Sequence, residues 1–209
     1  MMRFTTMKTK LRKYPSIFLI LLLAISSCFL TGCVNQHPKD SKKSSQGESV
    51  ETMLEITDPK EKQAVLNAKA KVKALSGNPR IVATSPAVAD ICDKLDLDLV
   101  GVPKSSVSKI PSRYKKVKKV GLAMSPDMEI VSSLNPDWIL APSSLETDLK
   151  PKFEELKNTE YAFLNLRSVQ GMYRSAQELG EIFGKQQEAE KMTKEFTTFY
   201  KSYTKRNKN

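Results

Sequence analysis

A single histidine and three cysteines are all that this 209-residue sequence holds of the side chains that most often do nucleophilic and metal chemistry. The histidine, His37, stands in a polar stretch with no second histidine, cysteine or acidic cluster around it. Ser-His-Asp and Cys-His catalysis both need an imidazole against the nucleophile, and neither has one to use here. Glycine-rich phosphate cradles of the P-loop or G-x-G-x-x-G kind are absent as well. Acidic pairs such as Asp93/Asp96 and Glu154/Glu155 read as solvated helix or loop charges. The expectation is a protein that is not an enzyme. Of the cysteines, Cys28 and Cys33 belong to the N-terminal segment treated next, which leaves Cys92 alone. One thiol supports neither a disulfide framework nor a cysteine zinc site, and its place on the apolar side of a short helix suits a buried, inert group.

Acid is missing from the first thirteen residues, where Arg3, Lys8, Lys10, Arg12 and Lys13 stand. The apolar run "IFLILLLAI" follows and ends in "LTGC" at Leu30–Cys33. A basic start, a short apolar run and small residues before the cut are the marks of a secretory signal. The run is shorter than the roughly 20 apolar residues that a spanning helix needs. Thr31 and Gly32 directly before a cysteine resemble the bacterial lipobox, which implies lipidation of Cys33 after removal of residues 1–32. An ordinary signal with an incidental cysteine is the alternative. A lipidated Cys33 would anchor the chain at the extracytoplasmic face of the cell membrane without spanning it.

Residues 33–56 are polar and poor in apolar side chains, and read as a tether. A surface helix with its linker is expected over 57–79, opened by Asp58 and Pro59 and closed by "SGNP". Its apolar positions Val65, Ala68, Val72 and Leu75 make a narrow stripe. From Arg80 strands and helices alternate. "RIVAT" is followed by a helix beginning at Pro86, "LDLVGV" by a polar loop from Pro103, and "VKKVGL" by a helix for which Ser125 suits the N-cap and Pro126 the first turn. "DWILA" and "YAFLNL" are further strands, with a helix over about Leu149–Leu156 between them. Ser168 caps the next helix, and the last runs from about Gln187 towards Tyr203 before a basic, frayed tail. Such alternation argues for an α/β fold, a Rossmann-like parallel sheet with helices on both faces. In such sheets ligands bind beyond the carboxyl ends of the strands. That edge collects the turn at Ser85–Ala87, the Pro103–Val107 loop and the "GLAM" turn at Gly121–Met124.

Between Lys104 and Lys119 there are seven cations and no acid. Nucleic acid is a poor match, because Tyr114 alone could stack and the chain reads as exported. A solvated face beside anionic headgroups and electrostatic attraction of an acidic ligand both remain open.

The blocks "RIVAT", "DKLDLDLVGVPKS", "P-x-R-Y-K" at Pro111–Lys115, "VGLAMSPDMEIVSSLNPDWIL" and "LNLRSVQGMYRSAQELG" occur in order over the folded part of the chain. Together they resemble the iron-siderophore, haem and cobalamin substrate-binding proteins of bacterial ABC importers, and most nearly the haem-binding lipoproteins of Isd-type uptake systems. The resemblance implies two α/β lobes joined by a long helix, with haem as the transported ligand between them. It implies an iron ligand at Met124 from the first lobe, opposed by a histidine from the second. Backbone at Pro86 and Ala87 and the Ser105–Ser106 loop align with positions that touch the porphyrin, with Ser106 where an aromatic residue is expected. Glu129 matches the acid that grips a basic pocket of the permease, and also suits a first helical turn on its own. The implied partners are haem, the ABC permease, upstream haem-carrying surface proteins and the membrane through the lipid anchor, with no nucleic acid.

By the same resemblance, residues 80–186 correspond to the N-terminal lobe and 187–209 to the start of the interlobe helix with a basic tail. The second lobe has no counterpart in this sequence, so the chain is expected to be a truncated form. An inert fragment and a siderophore binder of the same fold are the alternatives to a haem carrier.

Overall fold

The computed structural model describes residues 3–4 and 54–206. Cys33, His37 and most of the segments read as signal and tether lie outside the described residues. In chain order the elements are β1 (Arg3–Phe4), α1 (Pro59–Lys73), β2 (Ile81–Ala83), α2 (Pro86–Lys94), β3 (Leu99–Val102) and β4 (Lys118–Lys119). A small hairpin, β5 (Gly121–Leu122) with β6 (Ser125–Pro126), leads to α3 (Met128–Ser133) and β7 (Trp138–Pro142). Then come α4 (Glu146–Glu154), β8 (Glu160–Leu164), α5 (Val169–Phe183) and α6 (Gln186–Arg206).

Six strands form one sheet in the order β1-β8-β7-β2-β3-β4. All neighbours pair in parallel except β1, which runs antiparallel along the β8 edge with Arg3 opposite Phe163. Short continuous apolar runs make the central strands, as burial on both faces requires. Alternate residues divide cleanly between two cores. Ile81, Ala83, Trp138, Leu140, Ala162 and Leu164 face helices α1, α2, α5 and α6. Val82, Ile139, Ala141, Tyr161 and Phe163 face α3 and α4, where Val131, Leu149 and Phe153 fill the layer. The sheet is therefore parallel in the main with helices on both faces, as the alternation of segments predicts.

The local signals act as expected at several helix starts. Asp58 Oδ1 accepts from Lys60 N, Ser85 Oγ from Val88 N and Ser168 Oγ from Gly171 N. Cys92 is fully buried, and burial pushes its thiol to about 12. Such a thiol stays protonated and unreactive near neutrality.

Three expectations need correction. Ser125 and Pro126 do not open the helix; they form strand β6, and Asp127 is the cap, its Oδ1 accepting from Ile130 N at 3.1 Å. The hairpin wins because Asp127 N is already held by Val120 O at 2.7 Å, which fixes Ser125 and Pro126 in extended pairing with Gly121 and Leu122. Helix α4 starts at Glu146 rather than Leu149 and follows a 3₁₀ turn at Ser143–Leu145 with no side-chain cap. The basic tail is not frayed coil at its start, since α6 continues through Arg206.

Helix α1 packs on α5 through a buried polar cluster that its sequence stripe does not announce. Glu61 pairs with Arg174, and Glu178 lies fully buried beside the Glu61 carboxyl. Burial first, and the neighbouring Glu61 carboxyl second, push Glu178 from 4.5 up to about 8. The native protein thus holds a proton that the unfolded chain releases. Stability from this group is complete below 4.5 and falls as pH rises to about 8. Glu178→Gln keeps the site neutral, so the melting temperature of the wild type should fall relative to this variant across that window. The difference should amount to a few kcal/mol, since each pH unit carries about 1.4 kcal/mol per proton. Parallel melting curves at the two ends of the window would read it, and two curves falling together would refute it.

Candidate functional site

Parallel pairing brings the carboxyl ends of β2, β3, β4, β7 and β8 to one edge of the sheet, and the loops that leave them line it. After β2, Thr84 N donates to Leu140 O at 3.0 Å and its hydroxyl to the same oxygen at 3.3 Å. This holds the turn into α2 against β7 and presents Pro86, half-buried, and Ala87, exposed, at the helix start. After β3, Ser105 Oγ accepts from Ser108 N at 3.0 Å, a side-chain-closed turn that leaves Ser106 exposed. Val107 projects almost wholly into solvent, at 96%.

After β4 the chain reverses through the β5–β6 hairpin. Val120 N donates to Val102 O at 2.9 Å and Lys104 N to Gly121 O at 2.6 Å, so the hairpin is stitched to the β3 loop. Gly121 sits at φ 93, a left-handed conformation that side chains avoid. With Leu122 opposite Ser125, Ala123 and Met124 are the two residues at the hairpin tip. Met124 is 73% exposed and Leu122 60% exposed. A thioether so placed fills no core gap, unlike the half-buried Met128 and Met172 that pack against the two cores. Glu129 is exposed in the first turn of α3.

The sequence-derived residues Pro86, Ala87, Ser105, Ser106 and Met124 therefore stand on loops of one sheet edge, with Glu129 on the helix that follows the hairpin. Cys33 lies outside the described residues. Sequence reasoning missed Leu122 and Val107, the latter signalled by an apolar residue inside an otherwise polar loop. It also missed a polar cleft of about 540 Å³ at the carboxyl ends of β7 and β8, lined in part by Ser143, Thr147, Lys150, Asn165 and Arg167. An apolar groove of about 450 Å³ lies elsewhere, bordered by α1, α5 and α6 with Leu54, Val65 and Ala189 in its wall.

The basic segment divides by role. Arg113 is consumed: its Nη1 and Nη2 donate to Asp96 and Asp98 at 2.8 Å each, with Asp93 at 3.9 Å. Hydrogen bonds and charge from Lys185 and Arg113 hold the Asp96 carboxyl below its usual range. Tyr114 is buried, its hydroxyl donating to Leu97 O, so it offers no ring for stacking. Among the described residues no group of three or more His, Cys, Asp and Glu is placed to hold a metal ion, and no helix is long and apolar enough to cross a membrane.

Known proteins carry the reading further. The family model described as "Periplasmic binding protein" matches residues 81–209. The chain belongs to the periplasmic binding protein family. This periplasmic binding protein is similar to the high-affinity heme uptake system protein IsdE of Staphylococcus aureus, at 36% identity over 56% of this chain and 39% of the relative. The crystal structure of S. aureus IsdE complexed with heme superposes with a TM-score of 0.55 at 34% identity, covering 58% of this chain and 46% of that one. An ABC transporter substrate-binding protein from Listeria monocytogenes EGD-e gives 0.56 at 44% identity over the same shares. The siderophore binding protein BauB, bound to acinetobactin and ferric iron, gives 0.50 at 25% identity, covering 58% of this chain and 45% of that one. The chain thus spans less than half the length of the relatives it matches.

The hairpin that carries Met124 depends on Gly121. A Cβ there would stand 2.8 Å from Asp127 N and 3.0 Å from Ser125 O, both backbone atoms. Gly121→Ala should lower the unfolding free energy by about 1–3 kcal/mol. Gly77→Ala, where nothing lies within 4 Å, serves as the near-neutral comparison. Denaturant titration of both variants checks this, and equal midpoints would overturn the role given to Gly121.

Proposed function

We propose that this periplasmic binding protein supplies the first lobe of a haem carrier, a lipoprotein anchored through Cys33 that captures haem and delivers it to an ABC permease. The observation that carries the reading is the exposed thioether of Met124 at the tip of a braced hairpin, on the ligand edge of the sheet. Methionine sulfur is an established axial ligand for haem iron. Leu122, exposed on the adjoining strand, offers apolar surface to a porphyrin face. Pro86, Ala87, Ser105 and Ser106 border the macrocycle, and Ser106 leaves room where a ring would stack. Glu129 projects from α3 to engage basic residues of the permease. Haem-carrying surface proteins upstream would hand the ligand on.

The similarity to a protein named for heme uptake supports haem, and the similarity to a siderophore binding protein supports a second reading, a ferric siderophore on the same edge. Siderophore oxygens would satisfy the iron themselves and make no demand on Met124, so the methionine separates the two.

Titration of the full chain with ferric haem should give a shifted Soret band of modest affinity, because the described residues supply sulfur from one side. Met124→Ala should weaken binding by roughly an order of magnitude and remove the shift, whereas Met124→His, which restores an axial ligand, should give a shifted band of different position. Identical spectra for the wild type and Met124→Ala would defeat the ligand assignment. No haem response at all, together with saturable binding of a ferric siderophore, would replace the first reading with the second.

A further inference from the structure

The cations of the β3–β4 connection are not spent on the fold, and Arg113 is the exception that makes this plain. Lys104, Lys109, Lys115, Lys116 and Lys118 are exposed and Lys119 is half-buried. None of the six has an ion-pair or side-chain hydrogen-bond partner among the described residues. The acids that precede the segment are already engaged, Asp96 by Arg113 and Lys185 and Asp98 by Arg113. Strand β4 is the last strand of its sheet edge, so Lys118 and Lys119 stand on an open border and not between strands. Lysine on an edge strand discourages strand-to-strand association. That accounts for two of the six and leaves four without a purpose.

Val107 gives the patch a second chemical character. It is 96% exposed in the loop between Lys104 and Lys109, with no acid from Lys104 to Lys119. One protruding apolar side chain ringed by lysines suits the boundary between headgroups and acyl chains. Nucleic acid would be better served by free arginine or an exposed ring, and Arg113 and Tyr114 are both occupied. We propose that the β3–β4 connection and strand β4 form a docking surface for an anionic lipid bilayer. It rests on the lysines and Val107 and not on which ligand the Ser105–Ser106 loop meets.

Each lysine brought to an anionic surface favours binding about fivefold at low ionic strength, and the effect fades with salt. The test compares the full chain on phosphatidylcholine vesicles and on vesicles in which one lipid in three is phosphatidylglycerol. The apolar run of residues 17–25 and the cations before it are common to every variant, so the change in the ratio between variants is what reports on the patch. Lys115→Gln, Lys116→Gln, Lys118→Gln and Lys119→Gln combined should lower that ratio about tenfold or more. A control removes the same charge elsewhere through Lys62→Gln, Lys73→Gln, Lys150→Gln and Lys152→Gln, and should retain most of it. Circular dichroism establishes that both variants are folded, and Val107→Asp, a single exposed change, should reduce binding if the quadruple variant is not. Equal losses in patch and control variants would reduce the effect to net charge and overturn the proposal. A wild-type ratio near one would do the same.

Discussion

Strand β2 is paired on both sides at once, Ile81 opposite Trp138 in β7 and opposite Leu99 in β3, and this parallel pairing constrains everything else. A parallel neighbour cannot be reached by a tight turn, so each strand must be followed by a crossover that returns over a face of the sheet. Those crossovers supply the helices that cover both cores, and they send the carboxyl ends of β2, β3, β4, β7 and β8 to the same edge. Ile81, Val82 and Ala83 are each buried, and consecutive residues belong to opposite cores. Against β7 a one-residue slip would exchange the two sets of partners, which is why so short a strand holds its register there. The loop-bearing edge that carries Met124 is thus a consequence of the pairing and not a separate construction.

On that edge, what distinguishes Met124 is that no packing demand explains it. Main-chain bonds from Val120 to Val102, from Lys104 to Gly121 and from Asp127 to Val120 fix the hairpin before any side chain at its tip is considered. The tip could carry serine or asparagine at no cost to these bonds. A large apolar side chain held in water by a braced backbone gains nothing from burial, and the same holds for Leu122 on the adjoining strand.

Much of this was legible in the sequence where the information is local. Apolar runs marked β2, β7 and β8, and Asp58, Pro86 and Ser168 marked helix starts, because such a signal needs only its own helix. The failures are non-local. "SPDM" offers two capping residues in three positions, and the choice of Asp127 was made by Val120 and Gly121 from the strand before. Helix α4 begins without a side-chain cap, so its start left no mark. Glu61 and Glu178 look like ordinary helix acids until α1 lies on α5 and takes both out of water. Lysines and arginine in "KIPSRYKKVKK" look alike as charge, and only folding tells which is spent.

That last distinction has a physical origin. Three acids, Asp93, Asp96 and Asp98, follow one another at the α2–β3 junction, and a planar fork can meet two carboxylates at once where an ammonium meets one point. The position facing them is Arg113, whose guanidinium also lies 5.3 Å from the Tyr114 ring centre. Each pair is worth little at such exposure, but together they tether the loop at its middle, where Tyr114 enters the core. Ile110 and Val117 pack against that core on either side. The lysines before and after are thereby held at fixed places without being used. One segment consequently performs two separable tasks, with arginine and tyrosine fastening it to the domain and lysine facing outward. Replacing lysines should therefore alter the surface and leave the fold intact, whereas replacing Arg113 would loosen the scaffold that holds them.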